Sequence, residues 1–318
     1  MSLIVVTGAG GFIGAHLVAH LKAAGHTVRG VDIKEPEFVD TAADEFVLAD
    51  LRDPRACLDA LRGADEVYAL AADMGGMGYI SSHHAEILRN NALINLHTLE
   101  AARCHGVGRY LYTSSACIYP QHLQEDADVA PLREEDAYPA DPQDAYGWEK
   151  LFTEKACEYY GIEHGLDVRV VRFHNIYGPN GTYRGGREKA PAALCRKVAE
   201  VTDGGENEVW GDGEQTRSYW YIDDCVEGIE RIMRSPHRQP LNLGSDEMVS
   251  INELAAMIIA ISGKRDISIR HVEGPQGVRG RNSDNTRLRT VLGWEPPTRL
   301  QAGLEPTYRW IAKQVTSV

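Results

Sequence analysis

A chain of 318 residues with 43% hydrophobic and 25% charged side chains is long enough to bury a substantial core in one or two domains, and its composition is that of a globular enzyme. The formal net charge of −13 argues against nucleic acid and anionic membrane surfaces as partners, and no apolar run approaches the roughly 18–20 residues of a membrane span. The six cysteines form no C-x-x-C pair and the amino terminus enters a strand almost at once, so a reducing cytoplasm is expected, without a secretory leader.

Leu3–Thr7 is a short apolar run, followed by Gly8-Ala9-Gly10-Gly11-Phe12-Ile13-Gly14 and an amphipathic stretch with Phe12, Ile13, Leu17 and Leu21 on one side. That order predicts strand, tight turn and helix. In Gly8-x-x-Gly11-x-x-Gly14 the glycines admit a pyrophosphate close to the backbone, and the helix amino terminus, with Phe12 and Ile13 in its first turn, stabilises its charge. A second strand over 28–33 carries Asp32, whose carboxylate suits a ribose diol and repels a 2′-phosphate. The expected cofactor is therefore NAD, with Arg29 the nearby residue that would favour NADP. Strands follow at 46–49 and 66–70 around a short helix at 54–62. Asp50 either reaches the adenine or caps a turn.

A long helix is predicted over 83–105, a strand over 110–114, a helix over 146–160 and a strand over 168–173. This alternation implies an α/β fold, a Rossmann-like doubly wound parallel sheet covered on both faces. After Tyr177-Gly178-Pro179 the character changes. The stretch 180–187 is rich in Gly, Arg and Tyr and reads as a loop over a ligand, and helical patterns recur at 191–199, 223–233, 251–261 and 304–314. The expected division is an NAD-binding domain over 1–177 and a smaller α/β substrate lobe over 178–318, with 219–244 available to return to the first.

Tyr146 and Lys150 lie on one face of a predicted helix, where the ammonium is expected to depress the phenol's pKa and make Tyr146 an acid/base near neutrality. Tyr-x-x-x-Lys is common on surface helices and means little alone. With the glycine turn upstream and Ser115 at the end of an intervening strand, it predicts oxidation of a substrate hydroxyl. Cys117 stands two residues after Ser115. Oxidising a sugar alcohol acidifies the neighbouring C–H bonds, and Cys117 is placed to exchange protons with carbon; the bland alternative is a small buried hydrophobe.

These residues carry a resemblance to the extended short-chain dehydrogenase/reductase family over essentially the whole chain. Within it, Met74-Gly75-Gly76-Met77-Gly78, Arg187-Glu188-Lys189-Ala190-Pro191, Trp210-Gly211-Asp212-Gly213 and Gly277-Val278-Arg279-Gly280-Arg281 resemble the GDP-mannose 3,5-epimerases, the first two segments being the most telling. The resemblance implies an NAD-dependent isomerase that converts GDP-mannose to GDP-L-galactose, with GDP-L-gulose as a second product. It implies Tyr146 and Lys150 as the redox pair and Cys117 and Lys189 as carbon acid/base groups. Substrate contacts are implied for Gly75, Ser115, Cys117, Asn175, Glu188, Lys189, Ala190, Lys197, Gln215, Arg217 and Arg281. A homodimer through the helices near 83–105 and 146–160 is expected, as related enzymes pair them.

The chemistry of inversion asks for the same kind of pair, because a proton must leave one face of the carbon and arrive on the other. A thiol ordinarily near pKa 8.5 and an amine near about 10.4 can both be tuned by their surroundings. Lys189 could equally be a solvated charge or a pyrophosphate contact. A chain of charge −13 needs local cations for a nucleotide diphosphate, and Arg184, Arg187, Lys189, Lys197, Arg217, Arg279 and Arg281 fall in the segments of the second lobe, Arg217 and Arg281 foremost. Three alternatives stand beside this reading. A 4,6-dehydratase would carry acids where Ala116 and Cys117 stand, a simple 4-epimerase has no need of Cys117 or Lys189, and a non-catalytic NAD-binding protein need not keep Ser115, Tyr146 and Lys150. His16 and His20 lack a third ligand, so no metal is expected. The other five cysteines are expected to pack.

Overall fold

The computed structural model describes residues 2–316. Its first half runs β1 (Leu3–Thr7), α1 (Phe12–Ala23), β2 (Thr27–Asp32), β3 (Glu45–Leu48), α2 (Pro54–Ala60), β4 (Glu66–Ala69), α3 (Met77–Ile80), α4 (His84–Cys104) and β5 (Arg109–Ser115). There follow α5 (Ala145–His164), β6 (Val168–Phe173), β7 (Ile176–Tyr177), α6 (Ala190–Glu200), β8 (Glu206–Trp210), β9 (Thr216–Ser218), β10 (Trp220–Tyr221) and α7 (Ile222–Arg234). The chain closes with β11 (Leu241–Leu243), β12 (Met248–Ser250), α8 (Ile251–Ser262), β13 (Ser268–Val272), β14 (Gly280–Arg281), α9 (Thr286–Leu292) and α10 (Leu300–Thr316).

Seven strands form one sheet in the order β11-β6-β5-β4-β1-β2-β3, and every neighbouring pair is parallel. Strands covered on both faces are buried almost throughout rather than alternately, as Leu3–Thr7 and Val168–Phe173 are. On one face Val6, Leu17, Leu21, Tyr68, Ile229 and Met233 fill the space beneath α1 and α7. On the other, Val5, Val67, Leu99, Tyr110, Tyr112 and Cys157 pack beneath α2, α4 and α5. This is the doubly wound sheet the sequence predicts. The second strand ends at Asp32 rather than at 33, and Ile33 is 69% exposed.

After β6 the chain leaves the large sheet and comes back once, when Leu241–Leu243 pairs with Val171–Phe173. The rest builds small sheets, β12-β9-β14, β10-β7 and β13-β8. A third core of Leu194, Val198, Leu254, Ile258, Leu304 and Ile311 joins α6, α8 and α10. Four of the five cysteines expected to pack are buried, but Cys104 is exposed. It falls on the outward side of the last turn of α4, beyond the buried Ala101 and Ala102, with its thiol against Glu100 and Arg103.

Candidate active site

The cofactor cradle is made by glycines with no room for a side chain. Gly8 has φ +73, a Cβ on Gly14 would stand 2.0 Å from the Gly8 carbonyl oxygen, and one on Gly10 would stand 2.0 Å from that of Lys34. No side chain caps α1 at Gly11, so its first amides remain available to an anion. The Gly10 amide donates to Asp32 Oδ2 at 2.9 Å. Burial raises the Asp32 pKa, and backbone amides at Gly10, Lys34 and Ile33 pull the other way. Arg29 is turned aside, donating to Glu45 Oε2 at 2.7 Å and to the carbonyls of Ala60 and Arg62. It thus offers no cation to a 2′-phosphate, and the cradle fits NAD. Phe12 and Ile13 pack partly buried on the core beneath the turn. Asp50 caps its own turn, accepting from the Arg52 amide at 3.0 Å and pairing with the Arg52 guanidinium at 2.6 Å.

At the far end of β5, Ser115 caps the turn Ala116–Ile118, its Oγ accepting the Cys117 amide at 3.1 Å. Asp144 caps α5 by accepting the Gly147 amide at 2.8 Å. Gly147 lets the helix touch the turn, since a Cβ there would lie 2.2 Å from the Cys117 carbonyl oxygen. Tyr146 lies beside Ser115, whose hydroxyl acts to lower the phenol's pKa. Lys150 is buried, donates to the Thr113 carbonyl at 2.9 Å and stands 5.6 Å from the Tyr146 ring centroid.

The expected depression of the Tyr146 pKa is not what the chain alone produces. Burial comes first and holds the phenol well above its ordinary value, with Cys117 and Glu149 acting in the same sense and Ser115 against them. Burial also lowers Lys150. Desolvating a phenolate in so closed a place outweighs one neighbouring ammonium. Beneath the pair, the buried Arg172 of β6 meets the buried Glu154 of α5 twice, Nη2 to Oε2 at 2.7 Å and Nε to Oε1 at 3.0 Å. Ser114 Oγ donates to the same Glu154 Oε1 at 2.5 Å. The network pins α5 to the strand that ends in Ser115.

Arg281 Nη1 donates to Cys117 Sγ at 3.3 Å, while Arg281 Nε is fixed on Gln124 Oε1 at 2.5 Å. The thiol therefore has the cationic neighbour that its chemistry asks for. Lys189 is the amino-terminal cap residue of α6, and among the described residues its ammonium has no hydrogen-bonding partner. Burial pushes its pKa below the usual lysine value; the thiols of Cys117 and Cys225 oppose this and Arg281 reinforces it. Cys117 packs against the buried cluster of Ile80, Ile87 and Tyr146, and acts to raise both Tyr146 and Lys189.

The chain matches the model of the NAD dependent epimerase/dehydratase family over residues 4–244. It belongs to that family. It is 52% identical to GDP-mannose 3,5-epimerase of Arabidopsis thaliana over 314 residues, covering 98% of this chain and 82% of that one. With GDP-mannose 3,5-epimerase 1 of Oryza sativa subsp. japonica the identity is 53% over 314 residues at the same coverage. Among solved structures, UDP-glucose 4-epimerase of Thermotoga maritima with UDP-glucose is similar at a TM-score of 0.87 and 27% identity, over 98% of this chain and 99% of that one. MoeE5 in complex with UDP-glucose and NAD is similar at 0.83 and 28%, with the same coverage.

As a member of the NAD dependent epimerase/dehydratase family the chain uses NAD, the cofactor expected from Asp32. The remaining predicted residues lie on several elements of both halves of the chain. The two most telling segments of the sequence meet: the Gly76 amide donates to the Arg187 carbonyl at 3.0 Å, and a Cβ on Gly76 would lie 2.3 Å from the Glu188 carbonyl oxygen. Gly75 lies against Tyr79 and Arg187. Arg187 also pairs with Asp73 at 3.2 Å and lies 3.8 Å from the Tyr79 ring centroid. Glu188 accepts the Gly186 amide at 2.7 Å and Ala190 opens α6. Lys197 donates to the Glu208 carbonyl at 2.9 Å. Asn175, with φ 48, donates to the Ser218 carbonyl at 2.9 Å. Gln215 is buried with Oε1 unpartnered.

The seven expected cations do not form one patch. Arg279 pairs at the surface with Asp212, Arg187 is taken by Asp73, and Arg184 is exposed over the Tyr183 ring. Arg217 is turned onto the carbonyls of Thr216, Gln276, Val278 and Arg279, and burial, with Arg281 nearby, pushes its pKa down to about 10. Sequence reasoning missed Gln124, which aims Arg281, and Glu154 with Arg172, which brace α5 against the strand that ends in Ser115. Gln124 carries no local signal, since it lies in an irregular stretch and its partner is 157 residues away.

Proposed function

We propose that the chain is a GDP-mannose 3,5-epimerase that oxidises the sugar at C4, inverts C5 and C3 and reduces C4 again. The observation that carries this reading is the placement of Cys117, packed against the cluster that contains Tyr146 and held by Arg281 Nη1 at 3.3 Å, which supports a thiol acting on the same sugar as the Tyr146–Lys150 pair. Tyr146, beside Ser115, acts as the phenolate, whose negative charge Lys150 offsets, and takes the C4 hydroxyl proton to become a neutral phenol. The cofactor's contribution when bound is a hydride acceptor at C4, the same hydride returned at the end, and a positive ring charge that opposes the burial of Tyr146. With C4 a ketone, the C5 and C3 protons become acidic. Cys117, held by Arg281, and Lys189, neutral more readily than an exposed lysine, remove and replace them. When C4 is reduced again, Tyr146 gives its proton back to the C4 oxygen. Ala116 and Cys117 stand where a 4,6-dehydratase needs acids, which disfavours elimination, and the GDP-mannose 3,5-epimerases at 52% and 53% identity favour this sugar over others.

Gly75, Asn175, Glu188, Ala190, Lys197, Gln215, Arg217 and Arg281 are assigned to the nucleotide sugar, and Gly8, Gly11, Phe12, Ile13, Gly14, Asp32 and Asp50 to NAD. The division at 177/178 into cofactor and substrate halves is supported by the large sheet, and the pairing of β11 with β6 supports the return of 219–244. Free thiols at all six cysteines support a cytoplasmic setting. Incubation with GDP-mannose in deuterated water, followed by NMR of the sugar protons, tests the reading. Deuterium at both C3 and C5 is expected. Label at C5 alone reduces the protein to a single epimerase, and a product changed only at C4 sinks the proposal.

The assembly is proposed to be a homodimer through α5 and α4. Trp148, Phe152, Tyr159 and Ile162 stand 46%, 52%, 59% and 73% exposed along α5, and Leu88 of α4 is 44% exposed. Phe152→Glu should shift the sedimenting species to half its mass; a parent protein that already sediments as a monomer rules the dimer out.

A further inference from the structure

Lys150 must carry its charge in a place that opposes charge. It is one of the largest fully buried side chains in the protein, wedged between the Tyr112 ring, 4.8 Å from its ammonium, and the Tyr146 ring. The residue before it, Glu149, is only 2% exposed, and a carboxylate buried to that degree normally has a stated purpose. Its Oε1 accepts from Asn95 Nδ2 of α4 at 2.8 Å and from Thr153 Oγ1 at 2.7 Å. Its Oε2 is buried with no hydrogen-bond partner among the described residues. Asn95 also reaches the Tyr112 hydroxyl at 3.5 Å, so two helices and a strand enclose one half-satisfied acid directly under the redox pair.

We propose that Glu149 is a positioning residue for the alcohol oxidation: its buried carboxylate is the counter-charge that keeps Lys150 an ammonium and sets the pH window in which Tyr146 and Lys150 act together. The proposal rests on the assignment of Tyr146 and Lys150 as the redox pair. The groups facing this cluster are Tyr112 from β5, Cys117 from the turn after it, and Asp144, Tyr146, Glu154 and Cys157 from α5. Glu154 is already engaged by Arg172 and Ser114, which leaves Glu149 as the fully buried acid of the cluster with no ion pair among the described residues. It is also the foremost influence holding Lys150 up against burial, and it acts to raise Tyr146.

Removing the charge therefore moves both groups the same way. Without the anion Tyr146 ionises at lower pH, and Lys150 loses its proton at lower pH. In the NAD-loaded protein the tyrosinate absorbance, taken as the difference from Tyr146→Phe, gives the phenol midpoint with no sugar present. In Glu149→Gln that midpoint and the high-pH limb of kcat/KM for GDP-mannose are each expected to fall by about one unit. Glu149→Met removes the charge without burying a new amide and should give the same fall, which keeps the test open if the glutamine variant does not fold. Glu149→Asp keeps the charge and should hold both midpoints within about 0.3 unit. Unmoved midpoints in the neutral variants, or an equal shift in the aspartate variant, would show that Glu149 only packs. A tyrosinate shift in a protein that leaves GDP-mannose unchanged supports the role of Glu149 while removing the sugar assignment.

Discussion

Cys117→Ala is expected to slow the entry of solvent deuterium at the sugar carbons by about a hundredfold to ten-thousandfold, the usual contribution of a positioned acid/base. NAD affinity and the melting temperature should stay as they are. The substitution removes one sulfur from a partly buried position and little else. Ser115 Oγ accepts from the backbone amide of residue 117, which alanine retains, and Arg281 keeps its bond to Gln124. Tyr146, Ser115 and Lys150 are thus left in place, and oxidation at C4 should persist as a transient absorbance of reduced cofactor. NMR of the sugar protons in deuterated water reads the first effect, and stopped-flow absorbance reads the second. Exchange at the parent rate would remove Cys117 from the chemistry.

Arg172→Ala is expected to cost about 3–5 kcal/mol of stability, because it leaves an ionised Glu154 buried without its cation. Glu154 would keep only the Ser114 hydroxyl, and the Arg172 bonds to the Glu134 carbonyl and the Tyr119 hydroxyl would go as well. The effect on activity should exceed the fraction unfolded, since the lost pair braces the end of β5 against α5, where Ser115 meets Tyr146. Replacing both partners with apolar residues, Arg172→Met with Glu154→Leu, should recover much of the stability. Urea denaturation midpoints measure both variants. A loss under about 1 kcal/mol for the single change would mean that Glu154 takes up a proton and needs no partner.

What the sequence made legible was local. Gly8, Gly11 and Gly14 sit where a strand turns into a helix, and that junction is readable because only glycine tolerates such approaches and because the hydrophobic period changes there. Tyr146 and Lys150 were readable because a helix puts them on one face. Spacing alone could not show the direction of the Tyr146 pKa, which is decided by how much protein closes over the ring. Nor could it show that Arg281 is aimed at Cys117 by a glutamine from a distant loop, or that Arg279, two residues earlier, faces Asp212 instead. Strand alternation would put both arginines on one face, but Arg279 stands before β14, and a two-residue strand leaves almost no trace in a sequence. The exposure of Cys104 was missed for a similar reason, since one step along a helix turns a side chain by about 100°.

The contact of the Gly76 amide with the Arg187 carbonyl gives Lys189 an unusual address. Lys189 belongs to the second half of the chain by sequence, but the residues just before it are clipped to the loop after β4, next to Asp73. Cys117 hangs from the end of β5, the neighbouring strand. Both proposed proton-transfer groups are therefore referenced to the large sheet, while Gln215 and Arg217 are carried by β9 and the turn before it. Sequence drift in those elements can change which nucleotide sugar is accepted and leave the spacing of thiol and amine untouched. The arrangement lets substrate preference evolve separately from the inversion itself.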